Sequence, residues 1–218
     1  MYKAVIFDLD GTLVYTLEDL KNAINLALEI KGYPYQYNLE ETKGLIGSGT
    51  KVLCQRAIKK DSVTEDEWMD LFLEFSRQYK IHQLDNVALY DGILDLIKQL
   101  KDDGYKIAVL SNKVDKNTKD IISYLFKDNP FDYILGQLEN MPLKPDPEGL
   151  YRVLKELDLK EDEILYIGDS DTDMKTGINA RVDVCAVTWG FRNRDILASY
   201  NPKYLINSPK ELCKILKK

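Results

Sequence analysis

Histidine and cysteine, which form many metal and nucleophilic sites, are scarce in this sequence. His82 is the single histidine among 218 residues, and there are three cysteines. A site built from several histidines therefore cannot form, and a Ser-His-Asp triad would have to use His82. The cysteines Cys54, Cys185 and Cys213 are odd in number and show no CxxC spacing, so we expect reduced, buried thiols. Aspartate is left as the main candidate for chemistry.

The sequence also lacks a long apolar segment and an excess of basic residues. No run approaches the roughly 20 apolar residues that a membrane-spanning helix needs, and the N-terminus does not show the pattern of a secretion signal. The formal net charge is -6 at pH 7. This charge argues against a nucleic-acid surface, because binding to a phosphate backbone depends on clustered lysine and arginine. We therefore expect a cytoplasmic protein with no membrane or nucleic-acid partner.

Short apolar runs, each followed by polar or glycine residues, predict strands that are buried on both faces. These runs are Ala4–Phe7, Ile107–Leu110, Ile164–Ile167 and Val184–Trp189. Segments with helical spacing lie between them, and the clearest has Asp146 as N-cap and Pro147 at the first helical position. Alternation of strand and helix predicts an α/β fold with a Rossmann-like parallel sheet covered by helices.

The segment from Tyr15 to Asp85 differs from the rest of the chain. It has no strand-like run, its apolar residues recur at helical spacing, and Thr64 to Glu67 matches a capping box. The sequence therefore predicts an α/β core, residues 1–14 and 86–218, and an inserted helical domain, residues 15–85. Open α/β sheets bind ligands at the carboxyl ends of their strands. Because the insert directly follows the first strand, we expect it to act as a cap over an active site.

Polar segments follow the first two predicted strands. Asp8–Thr12 follows the first, and the two-residue spacing of Asp8 and Asp10 puts both carboxylates on the same side of an extended chain. Ser111–Lys113 follows the second and offers a hydroxyl and backbone N–H groups, which suit a phosphate oxygen at the start of a helix. Taken alone, the first segment also fits a turn before a capped helix, and the second fits an ordinary N-cap.

Lys144 and an acidic cluster complete the set of polar segments. Lys144 lies in a loop that is stiffened by prolines at 145 and 147. The third strand is followed by Gly168–Asp173, which has carboxylates at 169, 171 and 173. Hard oxygen ligands favour magnesium, which takes one or two carboxylates from a protein and keeps several waters. A solvated lysine and acidic residues at a helix N-terminus are the simpler alternatives for these two segments.

In combination and in this order, the segments resemble the motifs of the haloacid dehalogenase superfamily. The matching residues are Asp8–Thr12, Ser111 with Asn112, Lys144, and Gly168–Asp169 with Asp173. The similarity covers essentially the whole chain, including the position of the helical insert and its glycine-containing loop Gly44–Gly49. Within the superfamily the sequence looks most like the phosphoglycolate phosphatase group.

This resemblance implies a Mg²⁺-dependent phosphatase that acts on small phosphorylated metabolites. Asp8 would be the nucleophile that attacks phosphorus and forms an aspartyl phosphate. Asp10 would act as general acid for the leaving alkoxide and then as general base for water. Mg²⁺ would be held by Asp8, the Asp10 backbone carbonyl and Asp169, and it would offset the repulsion between carboxylate and phosphate.

The resemblance also implies which residues bind the phosphoryl group or the rest of the substrate. Lys144, oriented by Asp173, would be both catalytic and phosphate-binding. The implied contacts are Gly11, Thr12, Ser48, Ser111, Asn112 and Lys144. One departure concerns Tyr15, where members of the family often have an acid. This replacement affects hinging of the insert or the fit of the substrate, and it weakens an assignment of phosphoglycolate.

Several alternatives share features of this core. A sugar phosphomutase similar to β-phosphoglucomutase, or a pyrophosphatase, would keep the same core residues, and the sequence leaves both open. A dehalogenase needs neither a proton donor at Asp10 nor a metal-binding acidic cluster, and a non-catalytic binding protein would be expected to lose Asp8 or Asp10. A phosphoreceiver domain would be shorter, with its aspartate on a later strand. The substrate and the choice between monomer and homodimer stay open.

Overall fold

The protein folds into two compact units in the computed structural model, which describes residues 1–216. The core unit contains Met1–Tyr15 and the chain from Ala88 onward, and the helical unit contains Thr16–Val87. The division lies one or two residues beyond the predicted boundaries. The reason is a short antiparallel pairing of Val14–Tyr15 with Ala88–Leu89, which keeps both of these segments in the core unit.

The core unit is built on a parallel sheet. The strands of this unit are numbered along the chain, and β2 and β3 are the short antiparallel pair. They are β1 Ala4–Phe7, β2 Val14–Tyr15, β3 Ala88–Leu89, β4 Lys106–Val114, β5 Tyr133–Gln137, β6 Ile164–Gly168, β7 Asp183–Val187 and β8 Tyr204–Ile206. Among the described residues the main sheet has six strands, in the spatial order β5-β4-β1-β6-β7-β8, and every neighbouring pair is parallel. The predicted Rossmann-like α/β core is confirmed. Because β1 lies between β4 and β6, the carboxyl ends of these three strands are adjacent.

Helices cover the sheet and bury its apolar side chains. The core helices, numbered after four in the helical unit, are α5 Ile93–Asp102, α6 Asp115–Leu125, α7 Glu148–Leu157, α8 Asp171–Ala180, α9 Arg194–Ala198 and α10 Pro209–Leu216, with a 3₁₀ turn at Glu161–Glu163. Alternate residues of β1, β4 and β6 pack against the apolar stripe of α7 in one cluster, which includes Ile6, Leu110, Tyr166, Leu150 and Val153. This packing fixes the strand ends that carry the polar residues.

Several predicted boundaries were wrong by a few residues. β4 does not end at Leu110 but continues to Val114, because a shift in register lets the chain pair again with β5 beyond residues 111–113. The strand predicted to reach Trp189 ends at Val187. α7 begins at Glu148, so Pro147 and not Asp146 occupies the N-cap position; Asp146 lies one residue earlier and accepts a hydrogen bond from the Glu148 N–H at 2.9 Å.

The helical unit contains four α-helices and no strand, and the structure describes all of its residues. They are α1 Leu17–Ile30, α2 Leu39–Leu45, α3 Gly49–Ala57 and α4 Glu65–His82. α1 packs against α2 and α4, and α3 also packs against these two helices. The predicted capping box of Thr64 and Glu67 is confirmed at the start of α4, and Asn38 and Glu41 form a second one at α2.

The described residues, 1–216, also bear on the predictions for the cysteines and for membrane-spanning helices. Within these residues no cysteine forms a disulfide; Cys54 and Cys185 are buried as predicted, but Cys213 is only half-buried because it lies on the C-terminal surface helix. In this part of the chain no helix combines the length and the apolar composition that crossing a membrane requires.

Candidate active site

Asp8 lies immediately after β1, at the centre of the sheet edge. Its backbone N–H donates to the Ile167 carbonyl at 2.9 Å, so the residue is tied to the neighbouring strand. Gly11 follows with a φ of +88°, and a Cβ at this position would lie 2.3 Å from Asp169 Oδ2. Only glycine fits both the left-handed backbone and the close approach of the Asp169 carboxylate. The turn after β1 therefore brings two acidic residues from different strands together.

Lys144 connects the two ends of the acidic site. Its ammonium lies 2.8 Å from Asp8 Oδ1 and 2.7 Å from Asp173 Oδ1. It also donates to the Leu110 carbonyl at 3.2 Å. The side chain of Lys144 is only 4% exposed, and a buried ammonium is costly unless it is paired and hydrogen-bonded. Here both conditions are met, so its position is strongly constrained.

Asn112 holds the backbone that carries Lys144. The Asn112 amide donates from Nδ2 to the Lys144 carbonyl at 2.9 Å and accepts from the Lys144 N–H at Oδ1 at 2.8 Å. The Lys144-Pro145 peptide bond is cis. The phosphate contact predicted at Asn112 involves its backbone and stays a prediction, while its side chain is bonded to the Lys144 main chain. Ser111 lies one residue earlier, and its Oγ accepts from the Lys113 N–H at 3.2 Å.

Asp173 is fully buried and accepts four hydrogen bonds. Its Oδ1 accepts from Lys144 and from the Tyr166 hydroxyl at 2.8 Å. Its Oδ2 accepts from the N–H and the hydroxyl of Ser170, at 3.1 and 2.5 Å, as part of the capping box that begins α8. A carboxylate offers about four lone-pair positions, so these partners use the whole accepting capacity of Asp173. Its geometry suits the positioning of Lys144.

Asp169 lies immediately after β6 and keeps part of its accepting capacity. Oδ1 accepts from the Thr12 hydroxyl at 3.0 Å and Oδ2 accepts from the Phe191 N–H at 2.7 Å. Gly190 packs against the same carboxylate, since a Cβ there would lie 2.3 Å from Asp169 Oδ2. Thr12 is fixed in turn, because its carbonyl accepts from Trp189 Nε1 at 3.0 Å. Described residues thus use two of about four lone pairs of this carboxylate.

The electrostatics of the site favour an added cation. Oxygen atoms of Asp8, Asp169 and Asp173 lie within 4.8 Å of one another, and all three residues are buried. Burial and the Asp173 charge raise the pKa of Asp8 well above its usual range, against the opposing effect of Lys144. Burial followed by repulsion from Asp173 raises the pKa of Asp169 to about 7. Three buried carboxylates thus lie close together, and Lys144 forms ion pairs with two of them, Asp8 and Asp173.

The donor set fits a hard divalent cation. Carboxylate oxygens at this spacing are the ligands that magnesium prefers, and it needs only one or two of them from a protein. Asp173 has no accepting capacity left, so Asp8 and Asp169 are the side chains that suit this role. Burial alone would lower the pKa of Lys144, but Asp173 and Asp8 outweigh it and the pKa is raised well above its usual value. Lys144 is therefore a permanent cation, and a second cation would balance the remaining charge.

Asp10 forms an ion pair with a different lysine from the one that Asp8 and Asp173 share. Its Oδ2 is 3.2 Å from the ammonium of Lys113, and the two side chains are 19% and 6% exposed. Tyr15, at the position where an acid is frequent in the family, packs edge-to-face against Tyr90 with ring centroids 6.2 Å apart. Within the core, the structure brings Asp8, Lys144, Asp169 and Asp173 together, and it pairs Asp10 with Lys113.

The predicted substrate residue Ser48 belongs to the helical unit. It lies at the N-cap position of α3, where its hydroxyl accepts from Arg56 Nη2 at 3.4 Å. Lys51, one turn further along, places its ammonium 4.5 Å from the centre of the Trp68 ring. These contacts show that the loop before α3 is tied to its own unit.

Tyr166 and Lys113 are site residues to which the sequence reasoning gave no role. Tyr166 lies within the apolar run Ile164–Ile167, so its sequence context indicates a core position, yet its hydroxyl contacts both Lys144 and Asp173. A tyrosine two residues before the Gly168-Asp169 motif was the available signal. Lys113 was noted only as part of the segment after the second strand. The hydrogen bond from the Phe191 N–H to Asp169 could not be predicted from residue type, because the donor is a backbone group.

Comparisons with known proteins agree with this geometry. Residues 5–187 match the family model of haloacid dehalogenase-like hydrolases. The chain is 31% identical over 215 residues to phosphoglycolate phosphatase 1 of Pseudomonas aeruginosa, covering 96% of this chain and 78% of that protein. It is 30% identical over 212 residues to pyrophosphatase PpaX of Bacillus cereus, covering 97% and 95%.

A solved structure is similar over nearly the whole chain. It is a proposed phosphoglycolate phosphatase from Lactobacillus delbrueckii subsp. bulgaricus, with a TM-score of 0.92, 32% identity, and coverage of 97% of this chain and 96% of that one. The family model alone spans well over half of the sequence. The chain therefore belongs to the haloacid dehalogenase-like hydrolase family and, within it, to the phosphoglycolate phosphatase-like group.

Proposed function

We propose that this protein is a magnesium-dependent phosphatase that hydrolyses small phosphorylated metabolites through a phosphorylated Asp8. The observation that carries the proposal is the ion pair of Lys144 with Asp8, 2.8 Å long, at the sheet edge where Asp169 also lies. A carboxylate beside a fixed ammonium can approach an anionic phosphoryl group, because Lys144 offsets part of the repulsion. The relatives named as phosphatase and pyrophosphatase support the same chemistry.

The first step forms the bond between Asp8 and phosphorus. One Asp8 carboxylate oxygen attacks phosphorus while the bond from phosphorus to the leaving oxygen breaks, which gives an aspartyl phosphate. Asp10 transfers its proton to the leaving oxygen as the bond breaks. Lys144 holds a phosphoryl oxygen and keeps its orientation through Asp173 and Asn112.

The second step releases phosphate and restores the site. Asp10 takes a proton from a water molecule, and the resulting hydroxide attacks phosphorus as the acyl phosphate bond breaks. The products are inorganic phosphate and the Asp8 carboxylate, and Asp10 again carries its proton. Asp8 and Asp169 would hold Mg²⁺, with the Asp10 backbone carbonyl as the third predicted ligand. When bound, the ion supplies positive charge that offsets the repulsion between carboxylate and phosphate.

The helical unit has the proposed role of a cap that selects the leaving group. It is inserted directly after the β1 turn, between β2 and β3. Ser48 remains its proposed substrate contact, and the loop Gly44–Gly49 its proposed substrate-facing segment. A cytoplasmic location and either a monomeric or a homodimeric state belong to the same proposal.

Phosphoglycolate and pyrophosphate are the two substrates that the relatives suggest. Both named relatives are about equally similar to this chain, at 31% and 30% identity. The core geometry binds mainly the phosphoryl group, so it fits both. We place phosphomonoesters such as phosphoglycolate first, and pyrophosphatase is the second candidate because that relative is matched over 95% of its length. A sugar phosphomutase would share the first chemical step.

Release of inorganic phosphate tests the proposal. The assay uses phosphoglycolate, ethyl phosphate, sugar phosphates and pyrophosphate, each with magnesium and with a chelator, for the wild type and for Asp8→Asn. Release that requires magnesium and vanishes in Asp8→Asn supports the mechanism. Asp102→Asn, an exposed change at the end of α5, is the matched control and should keep full activity. Release that persists in Asp8→Asn would show that another group is the nucleophile.

A further inference from the structure

Lys113 is a second buried lysine in the site, and its surroundings differ from those of Lys144. Its side chain is 6% exposed and its ammonium lies 3.2 Å from Asp10 Oδ2. Its backbone is fixed on both sides, since its N–H donates to Ser111 Oγ and its carbonyl accepts from the buried Thr118 hydroxyl, both at 3.2 Å. Lys113 is thus a positioned cation and not a solvated surface lysine.

The two lysines serve different parts of a bound substrate. Lys144 pairs with Asp8, the group that attacks phosphorus, and Lys113 pairs with Asp10. In the proposed mechanism Asp10 reaches the leaving oxygen. A cation within 3.2 Å of Asp10 therefore lies on the leaving-group side and not on the side of the attacking carboxylate.

We infer that Lys113 determines specificity by favouring substrates whose leaving group is itself anionic. This inference rests on the proposed function, because it uses the role of Asp10 to locate the leaving group. Burying an anion costs free energy unless a cation accompanies it, and Lys113 supplies that cation. Phosphoglycolate and pyrophosphate look unlike each other, yet the first leaves as an alcohol with a carboxylate and the second leaves as phosphate. The Lys113 ammonium beside Asp10 would bind the anionic leaving group of either substrate.

A pair of substrates of similar size tests this role. Phosphoglycolate and ethyl phosphate differ mainly in the carboxylate, which is a methyl group in ethyl phosphate. The measured quantity is the ratio of their kcat/KM values in the wild type, Lys113→Met and Lys113→Arg. Any effect of Lys113 on Asp10 itself applies to both substrates and cancels in the ratio, as in a double-mutant cycle.

We expect the wild type to prefer phosphoglycolate, and Lys113→Met to lower the ratio by about 10- to 100-fold, the usual value of a charge-assisted hydrogen bond. Lys113→Arg keeps the charge and should restore most of the preference. An unchanged ratio in Lys113→Met would overturn the inference, and so would a wild type that does not favour phosphoglycolate over ethyl phosphate, even if Lys113→Met does not fold. In either case activity on both substrates would leave the proposed phosphatase function standing. A wild type that hydrolyses no phosphorylated substrate would overturn that function and this inference with it.

Discussion

Two asparagines, one in each unit, hold a loop by the same pair of hydrogen bonds. In the core, Asn112 bonds the N–H and the carbonyl of Lys144 at 2.8 and 2.9 Å. In the helical unit, Asn25 bonds the N–H and the carbonyl of Tyr37, both at 2.8 Å. What differs is the side chain that each loop presents. Tyr37 donates to the Ala57 carbonyl within its own unit, whereas Lys144 reaches the acidic cluster at the sheet edge.

This comparison separates the stability of a loop from its function. The asparagine device orders a backbone segment in either setting, because it satisfies a peptide donor and acceptor together. For a role in catalysis, the residue in the ordered loop must also carry a charged group that lies next to other charged groups, as Lys144 does. We expect the largest effects from changes at Lys144, then at the two asparagines, and smaller effects from changes at Asp169 and Tyr166.

The largest effect is expected from removing the presented side chain in the core. Lys144→Met should lower kcat by about 10³-fold or more, since a single preorganised donor to developing charge is worth about 10²–10³ and Lys144 also neutralises Asp8. It should lower the free energy of unfolding by about 3–5 kcal/mol, because it leaves buried carboxylates without their ammonium. Phosphate release and urea denaturation measure the two effects.

The matched change in the helical unit is Tyr37→Phe. It removes the hydrogen bond to the Ala57 carbonyl and should cost about 1 kcal/mol of stability without lowering kcat more than about threefold. A Lys144→Met protein that keeps a tenth or more of the wild-type kcat would contradict the role given to Lys144.

The second prediction concerns the asparagines themselves. Asn112→Ala and Asn25→Ala should each lower the free energy of unfolding by about 1–3 kcal/mol, since each leaves one peptide donor and one acceptor without these partners. Only Asn112→Ala should also lower kcat, by about 10- to 100-fold, because a displaced Lys144 no longer meets the phosphoryl group correctly. Equal kcat values for the two variants would show that Lys144 keeps its position without Asn112.

The third prediction is a pH dependence of stability in metal-free protein. In the unfolded chain Asp169 loses its proton near pH 3.8, whereas the folded protein holds it until about pH 7. Between these two pH values the folded state therefore binds more protons than the unfolded state. The stability gained from this proton is fully present below the unfolded-state pKa of 3.8 and is lost as the pH rises through the folded-state pKa of about 7. From pH 5 to pH 8 the Tm of metal-free protein should fall by on the order of 5 °C.

Addition of magnesium and the variant Asp169→Asn test whether the Asp169 carboxyl causes this pH dependence of the Tm. The ion should reduce the fall in Tm, because it binds the ionised carboxylates and stabilises the folded state at the higher pH. Asp169→Asn should make the fall in Tm of metal-free protein smaller, since one of the two carboxyl groups with a raised pKa, Asp8 and Asp169, is gone. A metal-free Tm that rises between pH 5 and pH 8 would be inconsistent with the raised pKa of Asp169.

The smallest effect is expected for Tyr166→Phe. This change removes one acceptor of the Lys144 ammonium, at 3.1 Å, and one donor to Asp173. The ammonium keeps both of its ion pairs, so kcat should fall only about 3- to 10-fold, which corresponds to one or two neutral hydrogen bonds. Tyr151→Phe, on the exposed side of α7, is the control. A loss of more than about 100-fold would assign Tyr166 a direct role.

Much of the fold was predictable because buried parallel strands leave a strong sequence pattern. β1, β6 and Ile107–Leu110 of β4 are buried runs of mainly apolar residues, and their order along the chain indicated a parallel sheet. β5 and β8 were missed, since Tyr133–Gln137 is half-exposed and contains glycine, and Tyr204–Ile206 has only three residues. Such strands are set by the neighbours they pair with and carry little pattern of their own.

The site was predictable only as a list of positions at strand ends. That parallel strands end at one edge explains why Asp8 and Asp169, far apart in sequence, were expected together. The pairing of Asp10 with Lys113 was not predictable, because it depends on the path of β4 beyond its register shift. The full accepting capacity of Asp173 was not predictable either, since it takes a hydroxyl from β6 and a helix cap to fill it.

The short pairing of β2 with β3 makes the insert a replaceable module. Val14 pairs with Leu89 and Tyr15 with Ala88, so the chain leaves the core and returns to it at neighbouring positions. A segment of any length between these two strands begins and ends at the same place and leaves the turn that carries Asp8 untouched. If the helical unit selects the leaving group as proposed, exchange of the 72 residues of Thr16–Val87 would change which molecules are hydrolysed and keep one set of catalytic groups.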